Sequence, residues 1–278
     1  MPRPMTAAEK QRFRTCFPNL DVNKAVVTDG ASAVYNCISW TVGLTDRWLW
    51  PGDSLAAFDA FYRGFGFVRA GDGPIGAWGR STSAMTHACI SGPRHGPRWE
   101  SKCGADLRIQ HGLGELAGGS YGRVTAFYRR SHTASAPLAA TLEDTMKEKT
   151  SKTYLTPVQK RALQDQQRAI PAELRAAFDA AFRAWKETWF MGGLAFDSNP
   201  HGRGVGKEFD ALIALGPAIL PLVIEVLADP ENFLALQLYD AIQPDEKLVV
   251  HFDPEDERIL EGEQGRARRV VQAWFANG

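Results

Sequence analysis

Apolar positions in the first half of the chain change their spacing at Gly66. Before it, Leu55, Phe58, Phe61, Tyr62 and Phe65 recur at three- and four-residue steps, which puts them on one face of a helix. Asp53 and Ser54 can cap that helix, and Gly64 and Gly66 close it. After Gly66, short apolar runs alternate with polar positions and glycine-rich turns. This predicts strands near Phe67–Arg69, Ile75–Trp78, Met85–Ile90, Arg98–Cys103 and Arg123–Tyr128, interrupted by a short helix over Ile109–Leu116. Ser91 to Pro97 reads as the turn between the third and fourth strands. Nearer the start, Thr6-Ala7-Ala8-Glu9 has the form of a capping box and predicts a helix to about Arg14. Irregular or extended chain follows. Helix first, then antiparallel sheet, is an α+β pattern.

The second half reads differently. Ser131 to Pro137 is small and polar and marks a boundary. The expected division is a domain over 1–130, a linker over 131–155 and a helical domain over 156–278. Thr156-Pro157, Gly216-Pro217, Asp229-Pro230 and Asp253-Pro254 each set a cap-type residue before a proline that suits the first turn of a helix. Leu212, Leu215, Ile219, Leu220, Val223, Leu227, Phe233, Leu236 and Leu238 form an apolar seam resembling a HEAT-like helix pair, without a repeat of fixed period. Gly192 to Gly206 reads as a mobile loop.

Composition narrows the classes. The 278 residues, 44% hydrophobic, suit a globular chain with a sizeable core, and the formal net charge is zero. Residues 1–133 hold 16 Lys+Arg and 10 Asp+Glu, a net of +6, and the remainder holds 16 and 22, a net of −6. The basic residues are scattered, so no nucleic-acid partner is expected. The longest apolar stretch, Ala211 to Ile224, contains two prolines and is short for a membrane span. No apolar signal core opens the chain, so a cytoplasmic protein, or one exported without a cleavable signal peptide, is expected. Cysteines 16, 37, 89 and 103 are too few for a disulfide scaffold and are expected as free thiols.

The candidate chemistry centres on Cys37. Asn36 is a favoured N-cap, which places Cys37 in the first turn of a short helix ending near Gly43, where backbone N–H groups and the helix dipole would favour a thiolate. His87, on a later strand, is the candidate base. Alternation would turn Met85, His87 and Cys89 the same way. The next strand would supply a group to orient the imidazole. Its register decides between Glu100 and Ser101, and His111 lies close behind; Glu100 and His111 rank above Ser101. Asn36, Trp40 and Ser101 are expected along the substrate. The other three cysteines read as core residues.

Tyr35-Asn36-Cys37-Ile38-Ser39-Trp40, Thr86-His87-Ala88, Trp99-Glu100-Ser101-Lys102-Cys103-Gly104, His111 and Tyr121-Gly122-Arg123-Val124 together resemble an uncharacterised group of bacterial proteins. That group shares an Asn-Cys-Ile-x-Trp motif, a Thr-His-Ala motif and a Ser-Lys-x-Gly…His segment. The arrangement is similar to papain-like, cell-wall-peptidase-like cysteine hydrolases. The resemblance spans roughly residues 17–130 and implies Cys37 as nucleophile and His87 as base. No Gln stands just before Cys37 and no Asn-Ser-Trp follows His87, so papain proper is not matched. The implied activity is a peptidase, amidase or deamidase acting on a protein or peptide, in a bacterial effector or toxin. A non-catalytic interaction module, binding a protein through the helical half, is the alternative.

Other motifs carry less. His87, Cys89, His95, Cys103 and His111 lack the close ligand pairs of a zinc site, so neither metal nor cofactor is expected. Gly202 to Lys207 resembles a phosphate loop but lacks the following Ser or Thr and a preceding strand. Asp253 to Glu263 lacks the calcium-loop pattern and reads as a solvated acidic loop. Trp48-Leu49-Trp50-Pro51 is expected to pack the base of the sheet in preference to lining a groove.

Overall fold

The computed structural model describes residues 1–92, 96–131, 153–253 and 256–277. The centre of the turn before Pro97, His95, most of the boundary segment 131–155 and Pro254 fall outside these residues. The chain resolves into two compact units. One comprises Met1–Lys147 with Ala195–Asn199 and Asp253–Leu260; the other comprises Glu148–Leu194, Pro200–Phe252 and Glu261–Gly278. The units interleave in sequence, unlike the contiguous halves expected.

The first unit is built on one eight-stranded antiparallel sheet, in the order β1-β2-β7-β6-β5-β4-β8-β3. Its strands are β1 (Arg3–Pro4), β2 (Val26–Asp29), β3 (Phe67–Ala70), β4 (Ile75–Ser81), β5 (Ala84–Gly92), β6 (Gly96–Lys102), β7 (Arg108–His111) and β8 (Arg123–Arg130). Its helices are α1 (Ala7–Cys16), α2 (Cys37–Thr41) and α3 (Leu55–Gly64). The capping chemistry read from sequence is present. Thr6 and Glu9 form a reciprocal capping box, and the side chains of Asn36 and Ser54 accept from the N–H groups of Ser39 and Ala57.

Two buried clusters lie on the two sides of the sheet. Alternation along β5 sends Ala88 into one and Cys89 into the other. The first cluster takes the apolar face of α3 (Leu55, Phe58, Phe61, Tyr62) together with Phe65, Ile75, Ala77, Ala88, Tyr128 and Cys37. The second takes Phe13, Phe17, Trp78, Cys89, Ile109, Tyr121 and Phe196. Trp48 and Trp50 are buried, as expected of core aromatics. One expectation fails: Ile109–Leu116 is not a helix. Arg108–His111 pairs with β2 and β6 as a strand, and only Leu113–Leu116 turns, as a 3-10 helix.

The second unit is helical: α4 (Pro157–Gln167), α5 (Ala172–Thr188), α6 (Lys207–Ile213), α7 (Leu220–Leu227), α8 (Leu236–Ile242) and α9 (Gly262–Asn277). Thr156, with Gln159, makes a capping box before Pro157. Of the seam, all but the half-buried Leu215 are buried. Trp185, Trp189 and Phe209 pack edge-on or tilted at 5.0–5.2 Å. Arg266 is buried and paired with Glu263 at 3.0 Å and with Asp240. The phosphate-loop look-alike, Gly202 to Lys207, begins in the 3-10 turn Pro200–Arg203, whose Arg203 is buried, and ends at the first residue of α6. Among the described residues no single helix is long and apolar enough to cross a membrane.

Gly122 shows how tightly the sheet is closed. Its φ is +73°, and a Cβ there would lie 2.3 Å from the Gly79 carbonyl oxygen. Gly122→Ala is expected to destabilise the protein by about 2 kcal/mol or more in urea unfolding. A loss below about 0.5 kcal/mol would contradict this packing.

Candidate functional site

The local sequence explains where Cys37 sits. Asn36 is extended and caps α2, accepting from Ser39 N–H at 3.1 Å and donating through Nδ2 to the Leu49 carbonyl at 2.7 Å. Cys37 is therefore the first residue of the helix. That helix has only 5 residues, so it lacks the aligned peptides of a sizeable dipole, contrary to the sequence expectation. The thiol is wholly buried and donates to Ser198 Oγ at 3.1 Å. Burial pushes its pKa up to about 11, against the opposing pull of the Ser198 hydroxyl, the Ala88 N–H and the Lys102 charge.

His87 does not pair with Cys37. A bulge at Thr86, where Trp78 faces His87 and the next pair is Gly79 with Met85, turns Met85 away from His87. His87 shares its face with Cys89, whereas Cys37 packs in the cluster that holds Ala88. The expected common orientation of Met85, His87 and Cys89 thus holds only for the last two. The Cys37 sulfur nevertheless reaches the backbone of β5. The β5–β6 ladder covers only Ile90–Gly92 against Glu100–Gly96. Beyond Ile90 the strands part, and the amide joining His87 to Ala88 lies against the Cys37 sulfur.

The imidazole is held by a chain of hydrogen bonds. His87 Nε2 meets Ser101 Oγ at 2.9 Å, Ser101 Oγ meets His111 Nε2 at 2.8 Å, and His111 Nδ1 meets the Gly112 carbonyl at 2.8 Å. A carbonyl only accepts, so His111 carries its proton on Nδ1 and accepts at Nε2. Ser101 then donates to His111 and accepts from His87 Nε2–H. His87 Nδ1 is left with a lone pair, buried and without a hydrogen-bond partner. Tyr121 stacks on the ring at 3.9 Å and 5°. Burial pushes the His87 pKa well below its ordinary value, with the nearby His111 adding to the effect, and brings His111 down to about 4. Both are neutral at pH 7.

Glu100 does not orient His87. The register pairs Ile90 with Glu100, so Ser101 takes the His87 face and Glu100 the opposite one. There Glu100 accepts from Thr28 Oγ1 at 2.6 Å and pairs with Arg108 at 2.8 Å. Arg108 in turn lies 3.9 Å over the Trp40 ring, so Trp40 belongs to that ionic cluster. Ser101, expected along the substrate, is instead the link between the two histidines.

Sequence reasoning missed Ser198 and Lys102. Ser198 lies in the segment read as a mobile loop, 161 positions from Cys37, and nothing in its surroundings marks it. The segment is fixed: Phe196 and Ser198 are buried. Lys102 stood inside the Ser-Lys-x-Gly motif. It is buried, donates to the carbonyls of Ser32, Gly104 and Asp106 at 2.6–2.9 Å, and has a pKa lowered by burial to about 8. Among the described residues no group of three or more His, Cys, Asp or Glu is placed to hold a metal ion.

Residues 26–129 match a family model described as a domain of unknown function, DUF7689. The matched stretch runs from β2 into β8 and takes in Cys37, His87, Ser101, Lys102 and His111, but not Ser198. Comparison with curated proteins and with solved structures returns no match.

The two neutral histidines set a pH dependence. Their folded pKa values lie below the unfolded value of about 6.5, so their contribution is complete above that pH and is lost as pH falls below it, that of His111 as pH approaches about 4. Each contributes a slope of up to about 1.4 kcal/mol per pH unit in that window. Urea unfolding at pH 5 to 7.5 should show stability falling with acid, and His111→Gln should reduce the slope. A slope unchanged by His111→Gln would contradict a neutral, buried pair.

Proposed function

We propose that the first unit is a papain-like thiol hydrolase at rest, with Cys37 as nucleophile, His87 as base through Nδ1, and Ser101 and His111 as positioning residues. The observation that carries this reading is the bare, buried Nδ1 of His87. Leaving such an atom unpartnered costs about 1–3 kcal/mol. A chain of three hydrogen bonds that fixes the opposite nitrogen keeps that lone pair available. Its backbone neighbour already touches the thiol.

The reaction follows from these groups. For the reaction, Cys37 and His87 Nδ1 must meet through the gap where β5 and β6 part below Ile90; the thiol there leaves Ser198 and gives its proton to Nδ1 as sulfur attacks a carbonyl carbon. The resulting oxyanion is received where Trp48 Nε1 and Asn36 Nδ2 converge, both of which now donate to the Ser198 carbonyl at 2.8 and 3.3 Å. Each such donor is worth roughly 3–4 kcal/mol in the transition state. The imidazolium passes its proton to the leaving group, and water then hydrolyses the thioester with His87 again as base. The bond attacked is an acyl bond of a peptide, amide or thioester.

The second reading, a non-catalytic scaffold whose helical unit binds a protein, draws on the full burial of Cys37 and its bond to Ser198. Hydrolysis of a panel of thioesters and peptide amides separates the two. In the hydrolase reading Cys37→Ala abolishes turnover, His87→Ala lowers it at least ~100-fold, and His111→Gln lowers it less while moving its pH profile. Turnover indifferent to Cys37→Ala, or absent even when the thiol is made accessible, selects the scaffold.

A further inference from the structure

The residues that cover Cys37 are held as a bound peptide is held. Ala195–Asn199 belongs to the first unit although it lies outside the family match. The Ala195 carbonyl accepts from the N–H groups of Ala105 and Asp106 at 2.8 and 3.2 Å. The Phe196 carbonyl accepts from Tyr121 Oη at 2.8 Å. The Ser198 carbonyl accepts from Trp48 and Asn36, and its hydroxyl meets the thiol. Asn199 donates to Asp53 at 2.9 Å. One side chain enters a pocket: the Phe196 ring stands edge-on to Phe13 at 5.0 Å and to Phe17 at 5.2 Å. Main-chain hydrogen bonds give a bound peptide its affinity and a filled side-chain pocket its specificity.

Gly104 supports the same view. A Cβ there would lie 2.5 Å from the Ala195 carbonyl oxygen and 2.5 Å from the Phe196 carbonyl carbon, and its φ is +54°. The glycine that ends Ser101-Lys102-Cys103-Gly104 therefore clears a path for peptide backbone inside the matched domain, and the chain using that path comes from beyond it. Tyr121 joins the two features, since its hydroxyl holds Phe196 and its ring stacks on His87.

We propose that Ala195–Asn199, which leaves the 3-10 helix Gly192–Ala195 through a turn at Phe196, occupies the groove in which the site receives its substrate, a peptide with an aromatic side chain two residues before the residue at the thiol. This rests on the thiol-hydrolase reading for its chemistry, but the groove itself is a matter of binding. The resident segment stays intact because Ser198 Oγ engages the thiol and keeps it from His87.

The test uses the full chain with Tyr121→Phe, which removes only the hydroxyl on Phe196, and with Phe196→Ala. Thermal melts confirm that each is folded. Alkylation of Cys37 by iodoacetamide at pH 7.5, located by mass spectrometry, should be at least ~10-fold faster in both than in the parent. A synthetic peptide of residues 193–200 at millimolar concentration should return the rate to that of the parent. The same peptide with alanine in place of Phe196 should not. No gain in Cys37 reactivity in the folded Tyr121→Phe protein, no protection, or equal protection by the two peptides overturns the proposal. Selective protection without Cys37-dependent turnover keeps the groove and removes the hydrolase reading. Cys37-dependent turnover without protection removes the groove alone.

Discussion

The hydrogen-bond chain from His87 through Ser101 and His111 to the Gly112 carbonyl is the constraint on which the rest of the site depends. Its direction is set at the far end, where a carbonyl oxygen fixes the proton of His111. Every earlier link then follows, and the last consequence is a lone pair on His87 Nδ1. Three strands must keep their register for this: β5 supplies His87, β6 Ser101 and β7 His111. A one-residue slip of β6 would present Glu100 and place a carboxylate where a hydroxyl is needed both to donate and to accept. Glu100 is instead committed on the opposite face to Arg108 and Thr28. The two faces thus hold separate polar networks divided by one sheet.

The same burial that gives the chain its rigidity keeps the site silent. Removed from water, thiol and imidazole both favour their neutral forms, the thiol with a pKa near 11 and the imidazole with one well below its ordinary value. On the proposed hydrolase reading, proton transfer between them becomes favourable only when the charges it creates are received by substrate and by groups such as Lys102 and the Ala88 N–H. Protonated at rest, Cys37 is protected from oxidation and from indiscriminate alkylation. The Ser198 hydroxyl accepts from the S–H meanwhile.

Much of this was legible in the chain because it is local. The caps at Thr6, Asn36, Ser54 and Thr156 each bind the N–H three residues on, and the face of α3 follows from spacing alone. The order of cysteine helix, histidine strand and following strand was equally plain. What failed depends on partners distant in sequence. The Thr86 bulge arises from pairing of β4 with β5, the choice of Ser101 over Glu100 from pairing of β6 with its neighbours, and the strand character of Arg108–His111 from pairing with β2 and β6. Helical propensity in Ile109–Leu116 yielded to those ladders. Ser198 could not be found, because a serine between Asp197 and Asn199 looks like ordinary turn chemistry until the fold sets it on a sulfur.

The most direct measurement is the protonation state of the His87 ring, read from its ¹⁵N shifts and two-bond couplings in the folded protein at pH 7. The account predicts a neutral ring with the proton on Nε2 and an unprotonated Nδ1. A proton on Nδ1, or a charged ring, would contradict it.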